Sequence, residues 1–386
     1  MKTHSARALG ATFALLALSV TLTACGSGSS STGCGMNCPP PPKPEFLYAS
    51  NIGAVEAFSI DITTGALGLP VGTSGPQGSA GIIADPAGKF LYVSDLYSAE
   101  VDVYSIDQTT GALTSAGSFG VGNRSAGLGG LAMDRSGKFL YAVEENTNLV
   151  AAWTIDSSTG ALTWIGTVPT GATPGQAVVD PLGQFLFVSD YNDPNGGISS
   201  YFIDASTGAL TPVCNCVFPI QMGTYLGPVG LAVHPNGNFL YVAMAGTQFT
   251  ANPTLVAAMG IDRQGGGVFP AGQNYLFNSG PYPLLLTLDP TGNFLYVGNT
   301  AYGGISAFQV DPKHGGLTEL NGSPFAVNTP AAGVTVDAQG KYLYASDPYG
   351  NTVLPFAIGS NGALSDLGPP VAAGSTPVVL SIAQLH

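Results

Sequence analysis

One phrase recurs seven times along the chain: FLY at 46–48, 90–92, 139–141, 239–241 and 294–296, FLF at 185–187 and YLY at 342–344. The intervals between copies are 44, 49, 46, 54, 55 and 48 residues. A repeat of that length exceeds an ankyrin or tetratricopeptide unit and fits one four-stranded blade per copy. The expected fold is therefore all-β, a seven-bladed β-propeller of four-stranded blades.

Each copy holds the same four segments. A small and apolar run such as AGIIAD (80–85) precedes KFLYVSD (89–95); an alternating stretch such as VDVYSID (101–107) follows, and GALTSAGS (111–118) ends the copy. Consecutive apolar positions suit a strand covered on both faces, as when blades pack face to face, whereas alternation marks a wetter strand. DPAG (85–88), DPLG (180–183), HPNG (234–237) and DPTG (289–292) carry the residue preferences of a type I turn. TTGAL, STGAL and HGGL place glycine where a hairpin needs positive φ. The first copy lacks the leading apolar segment, and TPVVLSIAQLH at the C-terminus supplies one with no copy after it. A C-terminal strand near 377–383 is expected to complete the first blade and close the ring, which removes exposed sheet edges.

The 54 glycines and 29 prolines suit a fold of many turns, and 45% hydrophobic against 9% charged residues excludes a disordered chain. At the N-terminus Lys2 and Arg7 precede ALGATFALLALSVTLTA, an apolar run too short to span a membrane; residues 1–24 read as a signal peptide. The stretch LTAC, Leu22 to Cys25, resembles the lipobox of bacterial lipoproteins. That resemblance implies that Cys25 is acylated and anchors the mature chain to the bacterial cell envelope, at the periplasm or outer membrane. The whole chain carries a net charge of −13; loss of Lys2 and Arg7 leaves eight basic against 23 acidic residues, or −15, so nucleic acid and anionic lipid surfaces are not expected partners. Residues 25–45 read as a Gly/Ser- and Pro-rich tether ahead of the propeller at 46–386. Cys34, Cys38, Cys214 and Cys216, in an oxidising compartment, suggest one or two disulfides whose connectivity stays open. Without a nearby histidine pair the C-x-C at 214–216 does not read as a metal site. No metal or cofactor is expected, and a monomer is.

The copies differ in an ordered way. From the Asp or His of the first turn to the next Phe or Tyr the count is five in all six complete copies, and from the third strand's Ile or Val to the hairpin Gly it is five in six of seven. The link from the FLY aromatic to that Ile or Val ranges from 12 to 20 residues, and the link between copies, Gly to Asp or His, from 20 to 26. In an up-and-down blade the two constant turns share one end and the two variable links the other. Function is expected on the variable face, where unequal loops stand on a rigid ring. The longest excursions, 214–227 and 245–255, border blade five.

The grammar GKFLYVSD, VYSID, TGALT, repeated with a closing strand, resembles the lactonase family of seven-bladed propellers, which includes bacterial 6-phosphogluconolactonases and carboxymuconate cyclases. The resemblance covers nearly all of 46–386. It implies hydrolysis of a sugar lactone or similar cyclic ester, with a histidine before the first strand of an early blade, an Arg–His pair in a later equivalent loop and a glutamate ending a VNE strand. Here SGPQGSAGIIADP (74–86) carries Gln77 and Ser79 where the histidine is implied, and AGLGGLAMD (126–134) carries Gly129 and Gly130 near the place of the pair. The glutamate is present as Glu145 in YAVEEN.

Lactone hydrolysis needs a base for water and donors for the developing oxyanion. The catalytic candidates are Glu145, as base or water-positioner, and Arg124, in the variable-face loop GNRSAG; Glu144, Asp95, Asp190 and Gln77 are candidate substrate-binding residues. Asp95, Asp190 and Asp347 end equivalent strands, with Asn51 and Asn299 at the same position, a pattern that also suits loop caps. His234 reads as a turn cap, while His4, His314 and His386 lie in the signal, a hairpin and the terminus. Trp153 and Trp164 read as packing residues. The rival to the enzyme is a non-catalytic module presenting its variable face to a glycan, a peptide or an envelope protein.

Overall fold

The computed structural model describes residues 44–123, 125–191, 197–214, 218–219, 226–246, 255–326 and 328–385. Each FLY unit lies in the second strand of an antiparallel sheet, and seven such sheets form the blades. These strands are buried throughout: Phe90–Asp95, Phe139–Glu144, Phe185–Asp190 and Tyr342–Asp347 have no exposed position. The third strands alternate, as Glu100–Ile106 does. Among the described residues no helix is long and apolar enough to cross a membrane.

Blade contacts follow from two residues of the FLY unit. Its first aromatic reaches over the hairpin glycine of the next blade, so that an ideal Cβ on Gly111 would stand 2.2 Å from Phe46, and one on Gly208 2.3 Å from Phe139. Those glycines also hold φ of 70° and 72°, so one residue answers both a turn and a close approach. The unit's tyrosine then donates its hydroxyl to the carbonyl of the same glycine: Tyr48 to Gly111 at 2.9 Å, Tyr92 to Gly160 at 3.2 Å, Tyr141 to Gly208 at 3.0 Å, Tyr241 to Gly315 at 3.2 Å, Tyr296 to Gly362 at 2.9 Å and Tyr344 to Gly65 at 3.0 Å. Phe187 leaves the seam between blades four and five without this bond.

Both ends of the chain build blade one. The strand Leu380–Gln384 pairs with Glu45–Asn51 in the register Ala49 to Leu380, Tyr48 to Ser381 and Phe46 to Ala383. The Ser50 N–H donates to the Val379 carbonyl at 3.1 Å and extends the seam. The first strand starts at Glu45, inside the stretch read as tether, because Glu45 already pairs with Ile60 and Gln384. Three sheets carry a fifth short strand, Phe218–Pro219, Leu276–Asn278 and Val371–Ala372. Each pairs with the third strand of its blade, where the fourth strand ends after three residues.

The constant turns are held by their first residue. The Asp85 carboxylate accepts the N–H groups of Lys89 and Phe90 at 2.6 and 2.7 Å. His234 takes that place in blade five: its Nδ1 accepts the Asn236 N–H at 3.1 Å, which leaves Nε2–H to donate to the Gly292 carbonyl at 3.0 Å. Trp153 is buried and meets Trp164 edge-on, 5.4 Å between centroids. Cys214 is disulfide-bonded, and every other cysteine of the chain, Cys25 included, lies outside the described residues.

Candidate functional site: an apolar tunnel with one carboxylate

The innermost strands approach one another closely. At one register position four of them carry glycine, and an ideal Cβ there would stand 2.9 Å from the Gly129 carbonyl at Gly81, 2.9 Å from that of Gly175 at Gly130, 2.2 Å from that of Leu284 at Gly230 and 2.2 Å from that of Val378 at Gly333. Serines of the second strands stitch across the same seams: Ser94 Oγ donates to Gly129 at 2.6 Å, Ser346 Oγ to Val378 at 2.9 Å and Ser189 Oγ to Val229 at 3.3 Å. These strands enclose a cavity of about 720 Å³ to which all seven blades contribute.

The cavity wall is largely aliphatic. Among the described lining residues Glu145 supplies the one carboxylate, and none is Lys, Arg or His. Glu145 follows the second strand of blade three, its N–H fixed on the Gly127 carbonyl at 3.0 Å. Its carboxyl lies over the bare Cα of Gly129, where an ideal Cβ would stand 2.4 Å from Oε1. No described residue offers that carboxyl a hydrogen bond or an ion pair, and burial raises its pKa above the ordinary 4.5.

Gln176, on the innermost strand of blade four, packs against Gly130, whose ideal Cβ would be 2.9 Å from the Gln176 Cα. Its Oε1 accepts the Leu231 N–H of blade five at 2.7 Å. That bond leaves Nε2 with no partner among the described residues and able to donate to a ligand. A carboxylate and an amide donor therefore flank the Gly129–Gly130 pair, where the family resemblance implied arginine and histidine. Gln176 escaped the sequence reading, although a signal exists: it stands where four other copies carry glycine.

The mouth of the tunnel is built differently from the opposite face. On the constant face glycine occupies the left-handed positions, whereas the nine other residues with positive φ among those described all lie in variable-face links. Thr173, Tyr282 and Thr376, at φ of 54°, 53° and 57°, each precede the proline that leads into an innermost strand. Such residues cost on the order of 1–3 kcal/mol and persist where the surroundings impose them. Two of them are clamped, since Asn148 Oδ1 accepts the Thr173 N–H and Asn351 Oδ1 that of Thr376, both at 2.8 Å.

The remaining candidates sit elsewhere. Glu144 is buried, and its Oε2 accepts the Thr147 hydroxyl at 2.6 Å. Asp95 accepts the Tyr97 N–H at 2.8 Å, and Asp190 accepts the Ser199 hydroxyl at 2.7 Å. These carboxylates hold links between second and third strands and do not line the cavity. Gln77 is exposed on the variable face, with its Nε2 against Gly53, and the buried Ser79 hydroxyl has no hydrogen-bond partner. Arg124 lies outside the described residues. The described cations, Lys89, Arg135, Lys138, Arg263, Lys313 and Lys341, all belong to constant-face turns, where Arg263 pairs with Asp180 at 2.8 Å. No group of three His, Cys, Asp or Glu among the described residues is arranged to hold a metal ion.

A family model described as lactonase, 7-bladed beta-propeller, matches residues 120–224 and 224–332. No curated protein matches the chain. Among solved structures, a putative 6-phosphogluconolactonase from Bacteroides uniformis is similar with a TM-score of 0.71 and 18% identity, over 88% of this chain and 99% of that one. A second from Bacteroides fragilis gives 0.70 and 19%, over 90% and 99%. The periplasmic gluconolactonase of Pseudomonas aeruginosa gives 0.72 and 15%, over 89% and 100%. At these identities the likeness is one of fold.

Proposed function

The chain belongs to the lactonase family of seven-bladed β-propellers, and from that premise we propose that it hydrolyses an uncharged sugar lactone in its tunnel, with Glu145 as the base that activates water. The observation that carries this reading is an unpartnered carboxylate, its pKa raised by burial, set in an aliphatic cavity beside an amide donor. Water held by the Glu145 carboxylate attacks the lactone carbonyl and gives up its proton to it. Gln176 Nε2 donates to the oxyanion. Collapse breaks the ring C–O bond, the proton passes from Glu145 to the departing alkoxide, and the open hydroxy acid leaves.

The proteins of similar fold are named for 6-phosphogluconolactone or for gluconolactone. A described lining that holds one carboxylate and no cation repels a phosphate, so the unphosphorylated lactone is the better match. Full-length protein offered glucono-δ-lactone and 6-phosphogluconolactone, with correction for spontaneous hydrolysis, is expected to prefer the first by at least about ten-fold. Turnover unchanged in Glu145→Gln removes the catalytic assignment. A second reading, binding without turnover, is favoured by the Gly129–Gly130 pair, and failure to turn over any lactone would leave that reading ahead.

We also propose export and anchoring through Cys25, supported by the LTAC stretch and by the periplasmic name of one protein of similar fold. Cys25→Ala is expected to abolish palmitate incorporation and release the chain from the membrane fraction. Incorporation that persists in that variant overturns the proposal.

A further inference from the structure

We infer that the variable face carries a second ligand site, a subsite for an uncharged sugar ring formed by Tyr302, Tyr349 and the amide of Asn351, so that the protein holds a neutral glycan chain outside its tunnel. Tyr302 and Tyr349 occupy the equivalent links of blades six and seven. Their rings lie 6.3 Å apart between centroids with planes 18° from parallel, yet the residues stay 63% and 69% exposed. Two aromatic rings paired in this way and left open to water offer a ligand an apolar surface with polar tips.

The backbone spends conformational energy on holding them. Tyr302 has φ of 57°, an outlier for an aromatic residue, and its carbonyl takes the Asn328 N–H at 3.1 Å. Tyr349 stands on the Asp347 carboxylate, which accepts its N–H at 3.0 Å. Asn351, also left-handed at 55°, is fixed twice: its carbonyl accepts the Ala373 N–H at 2.9 Å and its Oδ1 the Thr376 N–H at 2.8 Å. The Oδ1 bond determines which end of the amide is left over. Nδ2 has no partner among the described residues and is a preset donor two residues from Tyr349. The loop that clamps it runs through Thr376 to Val378, which lines the tunnel, so the subsite adjoins the mouth.

The chemistry of the site selects the occupant. Tyrosine faces pack against the C–H faces of a sugar, and a fixed amide donor serves hydroxyl oxygens. Exposed amides at Gln77, Asn146 and Asn148 continue the same polar but uncharged character around the face. Carboxylates without a described cation disfavour acidic glycans, phosphates and anionic lipids. Capture of a glycan is read without turnover, so the site stands whether or not the tunnel hydrolyses lactones.

The test presents the full-length protein to immobilised maltohexaose, cellohexaose, mannohexaose and N-acetylchitohexaose, with hexagalacturonate as the acidic control. At least one neutral hexaose is expected to be captured, and Tyr302→Ala or Tyr349→Ala to weaken capture by about ten-fold each. Asn351→Asp keeps the acceptor for Thr376 and deletes the donor, so it is expected to weaken capture while the melting temperature stays unchanged; Tyr349→Phe keeps the ring and is expected to retain capture. The inference is overturned if no neutral hexaose binds, if only hexagalacturonate binds, or if both tyrosine-to-alanine variants bind as the parent does.

Discussion

Glu145 owes its behaviour to what surrounds it, not to a partner. Burial alone raises its pKa, and for a carboxyl that shift has two consequences of opposite sign. The proposed base works only when ionised, so kcat/KM is expected to rise with pH through a midpoint above 4.5, a rise that pH–rate measurements on glucono-δ-lactone report. As a structural group it stabilises the fold while protonated, and that contribution is lost as pH rises through its folded pKa. Glu145→Gln is therefore expected to lower kcat by at least about 10² while raising the melting temperature at neutral pH. Gln176→Glu probes the pairing: it keeps an acceptor for Leu231 and sets a second carboxylate across Gly129–Gly130. The kcat/KM midpoint is expected to move to higher pH, and an unmoved midpoint would show that the two side chains do not face each other. Glu145 was legible because it falls at a strand end within a known pattern. Gln176 was not, because its meaning depends on a bond to Leu231, 55 residues away, and on glycines that bring neighbouring strands together.

At the scale of the blade, period and turn chemistry revealed strand order, turn positions and closure, since each is written locally in residues such as Asp85 or Gly111. The contacts between blades were not readable in the same way. Gly111 advertises its positive φ, but nothing local shows that Phe46 lies above it or that its carbonyl receives Tyr48. The divided outer strands were equally hidden, because an edge strand has one neighbour and tolerates interruption. The six tyrosine bonds and the gap at Phe187 lead to a matched pair of expectations. Tyr141→Phe removes one buried bond and leaves the Gly208 carbonyl without it, at a cost of about 1–2 kcal/mol. Phe187→Tyr places a hydroxyl where the other seams have one, toward Gly266, and is expected to stabilise by about 1 kcal/mol, a rise of one or two degrees for a domain this size. Urea and thermal unfolding read both, and a fall in stability for Phe187→Tyr would mean that the fourth seam is packed for a phenyl ring alone.

Across the whole molecule, pH sets two families of carboxylates against each other. Hydrogen bonds hold the hairpin aspartates below the usual carboxylate range, from turn N–H groups first at Asp61 and Asp107 and from the Ser158 and Ser206 hydroxyls ahead of turn N–H groups at Asp156 and Asp204. Their contribution is present above that range and lost as acid protonates them. Glu45 does the reverse. It precedes the first FLY unit, where other copies carry Lys89, Lys138 and Lys341, and it lies at the seam that joins the two ends of the chain. It is 1% exposed, its Oε1 has no hydrogen-bond partner, and burial together with the charge of Asp337 pushes its pKa to about 7. A folded pKa above the unfolded one gives stability that is complete below about 4.5 and lost as pH rises through 7, up to about 3 kcal/mol for a shift of this size. The ring is therefore expected to be most stable near pH 5 and weaker at pH 8. Glu45→Gln keeps the shape and removes the charge, so it should raise the denaturation midpoint at pH 8 and leave that at pH 5 nearly unchanged. Urea titrations at pH 5, 6.5 and 8 decide the matter: equal slopes of stability against pH in parent and variant would mean that the closing seam accommodates an ionised Glu45 without cost.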